Sequence, residues 1–136
     1  MALIVQKYGG TSVANLERIQ HVAARVAKTY DQGNAVVVIL SAMAGITDNL
    51  IDMASNIAHA PDKRELDVLL ATGEQTTSAL LAMTLKSMNY PAQSLLGHQA
   101  EVLTDQCHGN ARILDIRAKR IQELSLIHIS EPTRPF

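Results

Sequence analysis

The sequence predicts a layered α/β fold, and three stretches in its first forty residues carry that reading. Leu3, Ile4 and Val5 form a short apolar run with the composition of a strand buried on both faces. Leu16, Ile19, Val22, Ala23, Val26, Ala27 and Tyr30 then recur at helical spacing, with Glu17, Arg18, Lys28 and Asp31 between or beyond them as a solvated face. Gly33-Asn34 breaks that helix, and Ala35 to Leu40 (AVVVIL) follows, rich in β-branched residues like a central parallel strand. Strand, helix, strand is a βαβ unit with a right-handed crossover. Helices layered on a mainly parallel sheet are what such units build.

Between the first strand and its helix stand Lys7, the Gly9-Gly10 pair, Thr11 and Ser12, where the helix is expected to begin. Adjacent glycines let backbone approach a bulky ligand. Hydroxyls and free N–H groups at a helix start favour an anion, and Lys7 adds a point charge beside them. A tight strand-to-helix turn with a solvated lysine accounts for the same residues, and short glycine motifs also arise by chance. The spelling is neither G-x-x-x-x-G-K-[ST] nor G-x-G-x-x-G, so neither of those phosphate-binding folds is implied.

The second strand runs into Ser41 to Leu50 (SAMAGITDNL), where small residues and Gly45 suit a crevice at the carboxyl end of a buried strand. Thr47 is expected to cap the next helix, whose apolar face is Leu50, Ile51, Ala54, Ile57 and Ala58. His59 to Asp62 reads as a loop, and Asp62 with Glu65 has the offset of a capping box. Leu66, Leu69 and Leu70 supply an apolar face until Thr72-Gly73 interrupts it. Glu74 then opens a renewed helical pattern through Ala79, Leu80, Met83 and Met88, with both methionines expected in the core. A carboxylate at a helix start is favoured by the dipole, which would make Glu74 a helpful surface residue. Asn89-Tyr90-Pro91 ends the helix, and Ala92 to Leu96 reads as a third strand. Ile113 and Ile116 are also strand-like. His98, Cys107 and His108 match no structural zinc spacing, and the cysteine is expected to behave as a small hydrophobe.

Twelve basic and thirteen acidic residues in 136 give a formal charge of −1, with no sign of a nucleic-acid or membrane surface. No apolar run is long enough to span a bilayer, and the chain enters strand-like residues directly after Met1. A single cysteine excludes an intrachain disulfide and fits a reducing compartment. The expectation is one modest domain in the cytoplasm.

Four blocks in order give these features a common source. KYGGTSV (residues 7–13) closely resembles the KFGGTSV signature that opens the aspartate kinases of the amino-acid kinase superfamily. SAMAGITDNL is similar to the family's S-A-x-A-G-x-T-x-x-L block, and TGEQ to its G-E pair. GHQAEVLTDQCHGNARI is similar to its G-x-Q-A-x-x-x-T-D block followed by A-R-I, departing where His98 replaces a frequent aromatic. The resemblance implies a three-layer α/β/α fold with a mainly parallel sheet. It also implies ATP-dependent phosphorylation of the L-aspartate side chain, the first step toward lysine, threonine and methionine. In its terms Lys7 is catalytic; Lys7, Tyr8, Gly9, Gly10, Thr11, Ser12 and Ser41 meet the nucleotide; Thr47 and Glu74 hold aspartate. The cofactors implied are ATP and Mg2+, with the metal ligands outside this sequence and the full-length protein a homo-oligomer.

The resemblance covers residues 2–124, the N-terminal part of the catalytic domain. Residues 125–136 (SLIHISEPTRPF) read as a non-native tail with the wording of a translated adaptor. Two rivals stand beside this reading. Another amino-acid kinase would share the glycine turn but not SAMAGITDNL, and a non-catalytic nucleotide-binding module would have no need of Glu74 and Thr47 in register.

Overall fold

The computed structural model describes residues 2–97, 99 and 102–116. Strand β1 (Leu3–Tyr8) lies parallel to β2 (Ala35–Leu40), in register from Leu3 opposite Ala35 to Tyr8 opposite Leu40. Helix α1 (Leu16–Asp31) makes the crossover between them. Its stripe of Ile19, Val22, Ala23, Val26 and Ala27 is buried, as its spacing demanded. Each fully buried Val or Ile of this kind is worth about 1.5–3 kcal/mol. Leu16 stays exposed because it is the first helical residue and precedes the packed turns.

The start of α1 differs from the sequence reading. Gly10–Val13 forms a short 3-10 turn, and the cap is Asn15, whose side chain accepts the Arg18 N–H at 2.9 Å. Thr11 and Ser12 therefore sit in the connecting turn, before the helix. The other end follows expectation, with Gly33 at φ +89 and Asn34 Nδ2 donating to the Thr29 carbonyl at 3.0 Å.

Helix α2 (Ile46–Ile57) begins after Gly45, which holds φ +83, so Thr47 lies inside the first turn and caps nothing. Of its expected apolar face only Ala54 is buried; Ile51 and Ile57 are exposed, and Ala58 is already past the helix end. α2 packs on α3 (Lys63–Ser87) and leaves the rest of its surface open. Asp62 caps α3 as expected, accepting the Glu65 N–H at 2.9 Å. The reciprocal half of the box is missing because Glu65 pairs with Arg64 at 2.7 Å.

α3 runs unbroken through Thr72-Gly73, contrary to the expected interruption. Thr76, Thr77 and Thr84 each donate to the carbonyl four residues back, so their hydroxyls are satisfied within the helix rather than ending it. Glu74 consequently sits in mid-helix, where the terminal dipole no longer explains it. The buried stripe is Gly73, Thr77, Leu81, Ala82 and Leu85. Met83 lies two residues from Leu81, roughly 200° around the helix; it is 65% exposed and Met88 37%, so neither is a core residue.

A left-handed Asn89 (φ +66) closes α3. Asn89 N–H reaches Lys86 O at 3.0 Å and Tyr90 N–H reaches Leu85 O at 2.9 Å, the pair of bonds of a Schellman end. Tyr90 then stacks edge-on to Tyr30 and donates to Asp31 at 2.6 Å, joining the ends of α3 and α1. The expected third strand at Ala92 to Leu96 has no ladder. Pro91 has no N–H, and the Leu96 N–H is taken by the Gln99 side chain at 2.8 Å. The segment packs as irregular chain with Ala92 in the core. β3 (Val102–Thr104), not anticipated, pairs antiparallel with β4 (Ile113–Ile116), where strand character was expected.

α1 and α3 cover one face of the parallel pair, giving a core of Tyr8, Val36 and Val38 against Ile19, Val22, Val26, Leu81 and Leu85. On the other face Leu3 is 49% exposed, Val5 58% and Ile39 50%, so β1 is buried on one side only. The described residues thus supply a parallel sheet and one helical layer of the expected three. His98 and residues 125–136, for which expectations were stated, lie outside the described residues. Among those described, no helix is long and apolar enough to cross a membrane.

Candidate active site

Parallel pairing brings the carboxyl ends of β1 and β2 together. The Ser41 N–H donates to the Tyr8 carbonyl at 3.2 Å, extending the ladder until both chains leave it as loops. The loops are Gly9 to Ser12 and Ser41 to Gly45, and they touch. A Cβ on Gly10 would lie 3.1 Å from the Ala42 carbonyl oxygen and 3.7 Å from the Ala44 nitrogen. Gly10 is therefore a close-approach glycine. Gly9 has φ −79 and nothing within 4 Å of an added Cβ, so no packing demand accounts for it. Open space at that point leaves room for a ligand.

Inside the turn the Ser12 N–H bonds the Gly9 carbonyl at 3.1 Å. The N–H groups of Gly10 and Thr11 precede that first bond and find no partner within the turn. The Thr11 side chain is exposed and Ser12 half-buried.

α3 joins the same cluster through Gly73. A Cβ there would come within 2.9 Å of Ala42 Cβ and 3.4 Å of Ile46 Cγ2. Only a glycine lets the helix lie this close to the loop after β2. The Glu74 carboxylate is exposed on a groove of about 370 Å³ lined by Ala71, Glu74, Gln75, Ser78, Leu95, Leu96 and Gly97. Thr47 follows Ile46, one of the residues Gly73 touches, and its exposed hydroxyl makes no hydrogen bond among the described residues.

The glycine turn and α3 thus meet the same loop, Gly10 at the Ala42 carbonyl and Gly73 at the Ala42 methyl, whereas the groove beside Glu74 is lined by α3 and residues 95–97 and not by Gly9 to Ser12, Ser41 or Thr47. Lys7 and Tyr8 point to opposite faces of β1. Lys7 is exposed on the uncovered sheet face with Leu3 and Val5, two residues before the glycine turn, and forms no ion pair among the described residues. Tyr8 points the opposite way. Its ring is buried in the core, donates to Gln6 Oε1 at 2.8 Å and lies beneath Arg25, whose guanidinium is 5.9 Å from the ring centroid. Burial raises the phenol above its ordinary range and Arg25 pulls against that rise. Of Tyr8, then, only the backbone faces the cluster.

Sequence reasoning missed three features. Gly73 read as a helix interruption, because close packing of a helix on a distant loop leaves no local pattern. Gln99, only 5% exposed, closes its own turn by accepting the Leu96 N–H and donating its backbone N–H to Leu96 O at 3.0 Å. Asn15 could have been found, since an asparagine directly before an apolar stripe is a cap signal.

Metal chemistry draws little from these residues. Among those described, no group of three His, Cys, Asp or Glu side chains could hold an ion. His108 Nδ1 contacts Asp67 at 3.0 Å, and Cys107 is exposed rather than packed as a small hydrophobe.

Comparison with known proteins gives this geometry a family. The chain is 54% identical over 122 residues to the aspartokinase of Geobacillus stearothermophilus, matching 90% of this chain and 30% of that protein. It is 56% identical over 122 residues to an aspartate kinase of Stutzerimonas stutzeri, with the same coverage. The chain thus spans about 30% of the length of these curated relatives. Among solved structures, the aspartate kinase from Synechocystis superposes with a TM-score of 0.81 at 40% identity, covering 97% of this chain and 21% of that one. Aspartokinase III of E. coli, solved with aspartate and ADP, shares the fold at a TM-score of 0.68 and 22% identity, covering 95% of this chain and 38% of that one. The sequence model of the amino acid kinase family matches residues 2–126, and with the parallel pair, the glycine turn and the helix-borne Glu74 in agreement, the chain belongs to the amino acid kinase family.

Proposed function

We propose that the full-length protein carrying this chain is an aspartate kinase, and that residues 1–124 supply the aspartate site and part of the phosphate site. A side-chain carboxylate oxygen of L-aspartate attacks the γ-phosphorus of ATP. The bond from that phosphorus to the bridging oxygen breaks, and ADP and 4-phospho-L-aspartate leave. The observation that supports the proposal is that Gly10 and Gly73 both pack on Ala42, so the glycine turn and the helix bearing Glu74 meet the same loop. The relatives at 54% and 56% identity bear the corresponding names.

Phosphoryl transfer is mostly positioning and charge stabilisation, so it calls on donors and cations. The Gly10 and Thr11 N–H groups and the Thr11, Ser12 and Ser41 hydroxyls are donors for phosphate oxygens. Lys7 reaches from the strand end to the charge that builds on the bridging and γ oxygens. Glu74 receives the α-amino group of aspartate, and Thr47 donates to a substrate carboxylate. A magnesium ion would screen the phosphates; the described residues offer it no carboxylate set, and its ligands belong to sequence outside them. Lysine, threonine and methionine synthesis, a cytoplasmic location and homo-oligomeric assembly complete the reading.

Hydroxylamine trapping tests it. The full-length protein with ATP and L-aspartate should yield aspartyl hydroxamate, and the 136-residue chain alone should yield none above blank. Trapping with glutamate instead of aspartate would overturn the substrate. Turnover by the short chain would overturn the division of the site.

A further inference from the structure

Asp67 lies seven residues before Glu74 on α3, two turns away on the same side and about 10 Å along the axis. Its carboxylate holds the loop between β3 and β4. Gly109 N–H donates to both oxygens, at 3.1 and 3.0 Å, and His108 Nδ1 lies 3.0 Å from Oδ2. Facing a carboxylate, that ring nitrogen carries the proton. Gly109 adopts φ +80, which presents its N–H to the helix, and a Cβ there would rest at 3.6 Å on the Lys63 stem. Inside the loop, Asp105 Oδ1 accepts the N–H groups of Cys107 at 3.0 Å and Arg112 at 3.3 Å, so the loop is braced as one piece. Among the described residues, every hydrogen bond from 102–114 to the helices ends on Asp67.

Leu95, Leu96 and Gly97 form the wall that faces Glu74 and Ser78 across the 370 Å³ groove. Residues 95–97 thus meet α3 at the groove, and His108 and Gly109 meet it at Asp67. We propose that Asp67 is a positioning residue for the aspartate site: by latching the β3–β4 loop it fixes the wall opposite Glu74. A charge-assisted bond to a backbone N–H suits this task, since it holds the main chain itself rather than a movable side chain. The proposal rests on the assignment of the groove to aspartate.

The test is steady-state kinetics of the full-length protein with both substrates varied. Asp67→Ala should raise the aspartate KM about tenfold while kcat and the ATP KM stay within about twofold, the signature of lost positioning at one substrate. Asp67→Asn keeps an acceptor for Gly109 N–H and should recover part of the loss. If Asp67→Ala does not fold, His108→Ala removes one bond and leaves the Gly109 pair, with a rise of about threefold expected. In a Glu74→Gln background the effect of Asp67→Ala should shrink, because the wall then has less to oppose. An unchanged aspartate KM in Asp67→Ala, or equal loss for both substrates with a lowered thermal midpoint, would overturn the latch. If Glu74→Gln alone leaves the aspartate KM unchanged while Asp67→Ala raises it, the latch stands and the role of Glu74 falls.

Discussion

Replacing Gly73 by alanine separates a close-packed helix from an ordinary one. At an exposed mid-helix position, glycine to alanine stabilises by about 1 kcal/mol. Here the new methyl would stand 2.9 Å from Ala42 Cβ and 3.4 Å from Ile46 Cγ2. Carbon atoms rest at about 3.5–4.0 Å, so α3 and the loop must part by about 0.6–1 Å. Ala42 Cβ has no rotamer by which to move aside. Overpacking of this kind costs about 1–3 kcal/mol, which leaves a net loss of up to about 2 kcal/mol after the helix gain. The displacement falls on Glu74 and the loop after β2, so kcat/KM for aspartate should fall about 10- to 100-fold. Thermal unfolding and aspartate saturation of the full-length protein measure both quantities. Gly9→Ala is the control: with φ −79 and open space it should hold stability within about 0.5 kcal/mol. If Gly73→Ala stabilises the protein and leaves aspartate kinetics intact, the close-approach argument is wrong.

Lys7→Ala in the full-length protein should reduce turnover by about 3 kcal/mol, comparable to removing a preorganised charge donor, with a small change in aspartate affinity. Steady-state rates with both substrates varied decide it, and near-normal turnover would remove Lys7 from the chemistry. At alkaline pH the two tyrosines with raised phenols matter: Tyr8 chiefly through burial, Tyr90 chiefly through its bond to Asp31. The folded protein holds these protons more tightly than the unfolded chain, so their stabilisation is complete below about pH 10 and fades as pH rises past it. Unfolding midpoints across that range should drop less steeply in Tyr8→Phe with Tyr90→Phe than in the parent.

Much of this structure is local, and the local part was legible. The spacing from Ile19 to Ala27 reported a covered helix face, and AVVVIL reported a strand down to its end residues. The blocks around Gly9, Thr47 and Glu74 carry the family resemblance. The contacts that join their elements, Gly10 and Gly73 on Ala42, are tertiary and so were hidden. Gly73 looked like a break because its partner, Ala42, is thirty-one residues away (73 − 42). Ala92 to Leu96 follows a helix stop as a strand would, but it carries no β-branched or aromatic residue and Pro91 offers no N–H, so it finds no ladder. Met83 failed for a simpler reason: apolar identity outweighed its angular position two residues from Leu81. Leu3, Val5 and Ile39 read as buried because their composition suits a sheet covered on both sides, and only one side is covered by the described residues.

Glu74→Gln isolates the contact with the α-amino group, because it changes one charge and almost no volume in the groove. Aspartate and ATP saturation curves for the full-length protein and its variant are the measurement. The aspartate KM should rise by the equivalent of about 1.5–3 kcal/mol, the worth of a charge-assisted hydrogen bond to the α-amino group, with ATP affinity nearly unchanged. Equal weakening of both substrates, or none of either, would contradict it and return Glu74 to the solvated face of α3.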